Sequence, residues 1–369
     1  RVVMVGCYPQ AFADEVEEIE EVDYIIGASG KENIVELLEN YDQSSEKDHF
    51  LTEINKYSDI TDYEKLDVEE VNETTRANIK IEDGCNQFCS YCIIPYARGP
   101  VKSRPMDSVI LEIKRLLQKG IKEIVLTGTH LGNYGLDWDK THLLSDLVEK
   151  ITELSGEFRV RLSSIEVTEI DDKLIQLIKE SNKICSHLHL PLQSGSDLIL
   201  NSMNRPYTTA DFAEIIQKLR KEIPEIGLTT DVIVGFPGES DKDFRQTYNF
   251  LEELELSRLH VFPFSARKGT PAADMKAKIH GDIKKQRSKK LIKLNKILMD
   301  KFHDKFISKK QKVVIEDSRD PESGLLKGVT DNYIHTLLSE SDKYMNQLVE
   351  VKLLKKYDSG RVIAEVVDQ

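Results

Sequence analysis

The chain has 369 residues, 40% of them hydrophobic and 31% charged, the balance of a globular protein with room for two or three domains. No apolar run approaches the roughly 20 residues a membrane-spanning helix needs, and no secretory signal opens the sequence, which argues against membrane and secreted classes. Five cysteines, three of them clustered, point to a reducing, cytoplasmic setting, and the net charge of −13 taken alone argues against a polyanionic partner.

Along the chain, the first 40 residues alternate strand and helix: a strand over 2–5, an acidic helix over roughly 12–20, a strand at Tyr24-Ile-Ile-Gly27 and a helix near 31–39. This reads as a parallel α/β fragment. Residues 41–75 are polar and read as a linker. From residue 76 strands at 78–82, 121–127, 159–163, 184–191, 227–234 and 257–263 alternate with helices at 107–119, 141–154, 171–181, 209–222 and 240–254. Six strands with five intervening helices predict a partial (β/α)6 barrel of the α/β class, with its site at the carboxyl ends of the strands. A basic amphipathic helix follows, with Leu291, Leu294, Leu298 and Phe302 on its apolar side. Residues 311–369 are β-rich with Gly, Asp and Ser turns and predict a small β-barrel, for which the oligonucleotide-binding kind is one candidate. The expected units are therefore 1–75, 76–306 and 307–369.

The charge is unevenly distributed. Residues 11–73 hold 21 acidic and 4 basic side chains, so the remainder carries +4. Residues 276–312 hold 14 basic and 3 acidic side chains. A solvated helix face and a polyanion-binding surface both fit that run.

Cys85, Cys89 and Cys92 follow the first barrel strand at C-x3-C-x2-C spacing. Three thiolates this close can hold one face of an iron–sulfur cube and leave one iron open. A zinc site would need a fourth ligand, and a redox pair would use only Cys89 and Cys92; both remain as alternatives. Gly128, Ser164, Gln193 and Gly235 with Glu239 lie near the ends of the second to fifth strands, where strand-ending turns and surface caps are the plain reading. His187 and His189 alternate on one strand face and read as satisfied core histidines. Cys185, inside a strand, reads as an inert core thiol.

The triplet with Tyr91 before its last cysteine, on a six-stranded partial barrel, resembles the radical S-adenosylmethionine (SAM) superfamily. The longer run Gly84 to Gly99, with Ser103-Arg104-Pro105, Gln193-Ser-Gly-Ser196, Met203-Asn-Arg-Pro-Tyr-Thr208 and Val234-Gly-Phe-Pro-Gly-Glu239, is similar to its methylthiotransferase branch. That resemblance implies a methylthiotransferase N-terminal domain ending in 1–75, a radical-SAM barrel and a C-terminal TRAM barrel. It implies that Cys85, Cys89 and Cys92 hold the radical-generating four-iron cluster and that Tyr91, Gly128, Ser164, Gln193, Gly235 and Glu239 border SAM. Cys7, in Gly6-Cys7-Tyr8, matches one ligand of a second, auxiliary four-iron cluster. Its other two cysteines would lie upstream of Arg1, so the chain is expected to be part of a longer enzyme.

Three subgroups differ in substrate: tRNA adenosine 37 carrying an isopentenyl or a threonylcarbamoyl group, or a ribosomal-protein aspartate. Ala97 to Arg104 and Leu259 to Ala273 look most like the threonylcarbamoyl-adenosine enzymes. The expected partners are then the tRNA anticodon stem-loop, an electron donor and a sulfur source. Tyr333 and Tyr344 are candidates for base stacking beside their commoner buried role. A non-catalytic RNA-binding protein with a structural metal staple is the alternative of another class.

Overall fold

The computed structural model describes residues 2–31, 34–39, 50–54, 63–64, 75–138, 143–358 and 360–367. The N-terminal unit comprises β1 (Val3–Val5), α1 (Cys7–Ala11), α2 (Ala13–Glu17), β2 (Tyr24–Ile26), α3 (Ile34–Glu39) and β3 (Phe50–Glu53). Its strands pair in parallel in the order β1-β2-β3. Two readings change here. β3 lies inside the stretch taken as a linker, because partnership with β2 overrides its polar surroundings. A separate short helix, α1, starts on Cys7, and the acidic helix is only the five residues of α2.

The central unit begins with β4 (Arg76–Lys80), β5 (Glu82–Asp83), α4 (Ile94–Arg98), β6 (Lys102–Ser103), α5 (Met106–Gln118), β7 (Glu123–Thr127), α6 (Leu143–Thr152) and β8 (Arg159–Leu162). It continues through α7 (Asp172–Glu180), β9 (His187–His189), α8 (Asp197–Ser202), α9 (Thr209–Glu222), β10 (Gly227–Val234), α10 (Asp241–Leu254) and β11 (Arg258–Pro263). Parallel pairing gives β4-β7-β8 and β9-β10-β11. Bridges Val160–Ile184 and Ser164–His189 join the two halves, so six parallel strands form the expected partial barrel.

Side-chain alternation fixes the two faces of this wall. Ile79, Ile124, Leu126, Leu188, Val232 and Leu259 point outward into the continuous core beneath the helices. Their strand neighbours point into the lumen, and many of these are polar, among them Asn78, Glu123, Arg161, His189, Asp231 and His260. A closed (β/α)8 barrel usually fills this space with branched apolar side chains; here the space is built for something polar.

After α11 (Pro271–Asp274), α12 (Gly281–Asp304) is the basic helix. Its Leu291, Leu294 and Leu298 pack into the barrel core, while Phe302 belongs with Phe306 to the core of the last unit. Lys285, Lys289, Lys290, Lys293 and Lys296 remain exposed on the other side. One helix thus serves two cores.

The last unit comprises β12 (Lys310–Arg319), β13 (Leu326–Thr330), β14 (His335–Leu338), β15 (Leu348–Asp358) and β16 (Arg361–Val366). They close a barrel in the order β12-β13-β14-β16-β15, antiparallel except for the parallel β14–β16 pair. Five strands in a small closed barrel fit the oligonucleotide-binding reading. Tyr333 does not fit its role as a stacking candidate. At φ 73° it turns inward, stacks on His187 with ring centroids 4.4 Å apart and lies under Arg161. Tyr344 stays half-buried beside Lys343. Among the described residues, no helix is long and apolar enough to cross a membrane.

Candidate radical-chemistry site

The cysteine loop leaves the barrel at the carboxyl end of β4. Gly84 has φ 88°, and a Cβ there would lie 1.9 Å from the Pro100 carbonyl oxygen, so only glycine allows the loop to fold back on its own return strand. Cys85 N–H donates to the Gly99 carbonyl at 3.1 Å and Cys92 N–H to the Cys89 carbonyl at 2.9 Å. Ser90 anchors the middle: its N–H donates to the Met203 carbonyl and its hydroxyl to the Ser202 carbonyl, 3.0 and 2.8 Å away. All three cysteines are free thiols, Cys89 buried and the others half-buried.

Cations surround the sulfurs. Arg205 Nη1 donates to Cys89 Sγ at 3.3 Å, and the same guanidinium is gripped by Glu166 and the Tyr207 hydroxyl. His130 Nδ1 lies 3.4 Å from Cys85 Sγ, with its Nε2 2.6 Å from Glu169 Oε1. Burial would lower the His130 pKa, but Cys85 and Glu169 together push it up to about 11, which favours the charged ring. Burial raises the thiols of Cys89 and Cys92 above their ordinary range, Arg205 opposing this at Cys89. Buried thiols that resist ionisation beside fixed cations suit an anionic metal–thiolate centre, where the metal draws off the protons and the cations balance the charge. Among the described residues, no group of three His, Cys, Asp or Glu is placed to share a single metal ion. Three cysteines on one loop at the barrel mouth suit a cube that takes each thiolate on a different iron.

Cys7 reaches toward the loop from the other unit through Arg98. It opens α1, which packs against α4, and its sulfur accepts from Arg98 Nε at 3.2 Å. Arg98 Nη1 also reaches Asp83 Oδ1 at 2.8 Å, two residues before Cys85. Although burial would raise it, Arg98 and Lys80 hold the Asp83 carboxyl well below the usual range.

The remaining sequence candidates divide into groups that face open space and groups already engaged. Tyr91 packs against a small apolar cluster that includes Met203, Phe236 and Phe264. Gly128 follows β7, where a Cβ would meet Glu82 Oε2 at 2.6 Å, so packing already calls for glycine there. Ser164 is exposed; its neighbour Ser163 has a buried hydroxyl that makes no hydrogen bond among the described residues and has more to offer a ligand. Gln193 holds φ 67°, an uncommon conformation for a side-chain-bearing residue, fixed by backbone bonds to Asp231 and Ile233. Gly235 has φ 72°, and a Cβ would collide with Lys284 of α12. Glu239 is buried and engaged by the Gly235 N–H and by Arg287 Nη1 at 2.6 Å, so it braces the turn. Cys185 is buried, its thiol pushed up to about 11 by burial, as an inert core thiol should be.

Sequence reading assigned no role to Arg205, His130, Glu166 or Arg98. Arg205 and Arg98 lie inside runs that carried the family resemblance, which was the available signal.

Comparison with known proteins agrees with this architecture. The Radical SAM superfamily profile matches residues 79–251. The threonylcarbamoyladenosine tRNA methylthiotransferase MtaB of Bacillus subtilis is 38% identical over 373 aligned positions, covering 100% of this chain and 82% of that protein. The Aquifex aeolicus protein of the same name is 38% identical over 95% of this chain and 82% of its own length. The tRNA-2-methylthio-N(6)-dimethylallyladenosine synthase of Clostridium tetani is 37% identical over 76% of this chain and 62% of that protein. With a cysteine triplet ringed by cations at the barrel mouth, and relatives this similar along almost its whole length, the chain belongs to the radical-SAM methylthiotransferase family.

Proposed function

We propose that this enzyme converts N6-threonylcarbamoyladenosine at position 37 of tRNA to its 2-methylthio derivative. The observation that carries the reading is the Cys85–Cys89–Cys92 loop, with Arg205 and His130 at its sulfurs, in a chain whose whole length aligns with 82% of a threonylcarbamoyladenosine tRNA methylthiotransferase. Cys85, Cys89 and Cys92 would hold the four-iron cluster, with SAM bordered by Tyr91, Gly128, Ser163 or Ser164, Gln193 and Gly235. Bound there, the pair supplies the one-electron chemistry that activates the C2–H bond of the adenine.

The protein's own part is positioning and electrostatics. Arg205 offsets thiolate charge at Cys89 and is held rigid by the buried Glu166 carboxylate. His130 does the same at Cys85, with Glu169 fixing its ring. Glu239 and Arg287 brace the β10–α10 turn, whose glycines let backbone approach a charged ligand. Cys7 is proposed as a ligand of the auxiliary cluster; its link through Arg98 to Asp83, beside the first loop, supports that reading. The exposed lysines of α12 and the small C-terminal barrel supply a surface for phosphates of the anticodon stem-loop. An electron donor and a sulfur source complete the reaction, and five free thiols suit the cytoplasm, where tRNA is modified.

Anaerobic reconstitution followed by nucleoside mass spectrometry of tRNA tests the assignment. The expected product is the 2-methylthio nucleoside at position 37, with about four irons lost on replacing the triplet by alanine. Unmodified tRNA beside a methylthiolated ribosomal peptide would reject it, and one zinc per barrel would end the catalytic reading.

A further inference from the structure

The lumen of the partial barrel has a floor, a wall and a rim of different chemistry. The floor is closed: Glu123 is paired with Arg159 and Arg161, and Tyr333 is stacked on His187. The rim at the carboxyl ends is apolar, with Phe262 51% exposed on the inward side of β11 and Ile233 in register beside it. Between them lies a polar ring whose members are incompletely used. The Asp231 side chain is 29% exposed and has one partner among the described residues, His189 Nε2 at 3.3 Å. His189 is held from its other nitrogen by Thr229 Oγ1 at 2.9 Å, and the His260 ring packs edge-on against it. Neither the Asn78 amide nor the His260 ring makes a hydrogen bond among the described residues, and Asn78 is exposed although it sits mid-strand. Lys80, two residues further along the same inward row, is already engaged by Asp83 at 3.0 Å.

Open to water these groups carry no penalty, but a ligand that covers them without pairing would impose one. The floor needs no ligand, because its charges are satisfied by one another and by backbone carbonyls. The ring has an unpaired amide, an imidazole and a carboxylate with one contact, all facing a space that opens toward the cysteine loop.

We propose that Asn78, Asp231 and His260, with His189 holding Asp231 in place, form the pocket that receives the N6 substituent of the substrate adenosine and selects one bearing hydroxyl, amide and carboxylate groups. This rests on the reading that the enzyme acts on an N6-modified adenosine. A threonylcarbamoyl group presents carbonyl and carboxylate oxygens to the Asn78 amide and His260, and its hydroxyl and N–H to Asp231. An isopentenyl group would desolvate the same side chains and return nothing, at a cost of about tenfold to a hundredfold in affinity for each group left unpaired. Above the ring, Phe262 and Ile233 offer the apolar shelf a base needs.

The test uses the reconstituted full chain with two anticodon stem-loop RNAs, one carrying threonylcarbamoyl-adenosine and one isopentenyl-adenosine at the same position. Wild type is expected to favour the first. In D231A, and separately in N78A, whose exposed position protects folding, the ratio of kcat/KM for the two RNAs is expected to fall at least tenfold, mostly through KM. A ratio within twofold of wild type in both variants would overturn the pocket while leaving the reaction assigned. A wild-type enzyme that methylthiolates neither RNA would overturn the reaction and the pocket together.

Discussion

Arg205 makes contact with the three parts of the site that sequence separates most: Cys89 of the ligand loop, Glu166 beyond β8 and Tyr207 at the entry to α9. Replacing it by alanine leaves Glu166 buried without a counter-charge, so R205A is expected to unfold about 3–5 kcal/mol more easily in urea. R205K keeps the charge but loses the fork and should recover only part of that. Glu82 makes a second prediction. It is fully buried, one oxygen accepts from His130 N–H at 2.8 Å, and burial raises its pKa from 4.5 to about 7. A carboxyl raised on folding is stabilised in its protonated form. That contribution is full below pH 4.5 and is lost as pH rises through 7. E82Q should therefore exceed wild type in unfolding free energy by about 3 kcal/mol at pH 8, and the two should converge below pH 4.5. At this scale the sequence showed the thiol ligands because a cluster's cysteines are local in the chain. It hid His130, Arg205 and Glu166 because they come from different strand ends and meet only when the barrel closes.

Among the elements, those read correctly have a repeating pattern and a long outward face. The five barrel helices and α12 bury every third or fourth side chain, and their strands are apolar on the outward side. β3 and β13 carry no such pattern, for a different reason. β3 has four residues in polar surroundings, and Gly328 interrupts β13 because a Cβ there would lie 2.4 Å from Val313. The inward faces were also illegible: polar residues at alternate positions read as solvent-facing until a closed wall puts them in a lumen. The exposed side of α12 yields a prediction proper to an element. Lys289, Lys290 and Lys293 are exposed and have no ion pair among the described residues. Their triple replacement by glutamine should weaken tRNA binding and lower the slope of log K against log salt by about two to three, roughly one per lost phosphate contact. Filter binding across a salt series reads this directly, and an unchanged slope would remove α12 from the RNA surface.

At the scale of the molecule, the two barrels are locked through a single patch. Glu123, fully buried, neutralises Arg159 and Arg161, and those guanidiniums continue across the boundary to the carbonyls of Val329, Thr330 and Asp331. Tyr333 enters beneath them, and Gly227 at the start of β10 lies against the Asn332 carbonyl, which a Cβ would approach to 2.1 Å. Phe302 and Phe306 add the apolar part of the same connection. So many fixed contacts make the C-terminal barrel a rigid arm, and a rigid arm can set how far an RNA held on its surface reaches into the lumen. G227A tests whether rigidity matters, because the added methyl separates the patch without touching the cysteine loop or the lysines of α12. Calorimetry should then resolve two transitions where wild type shows one, with new proteolytic cleavage near 305–309. RNA affinity should fall by less than about threefold, since the phosphate-facing charges remain, whereas kcat for the RNA substrate should fall more than tenfold. A single transition with unaltered kcat would mean that the two barrels do not depend on this patch for their alignment.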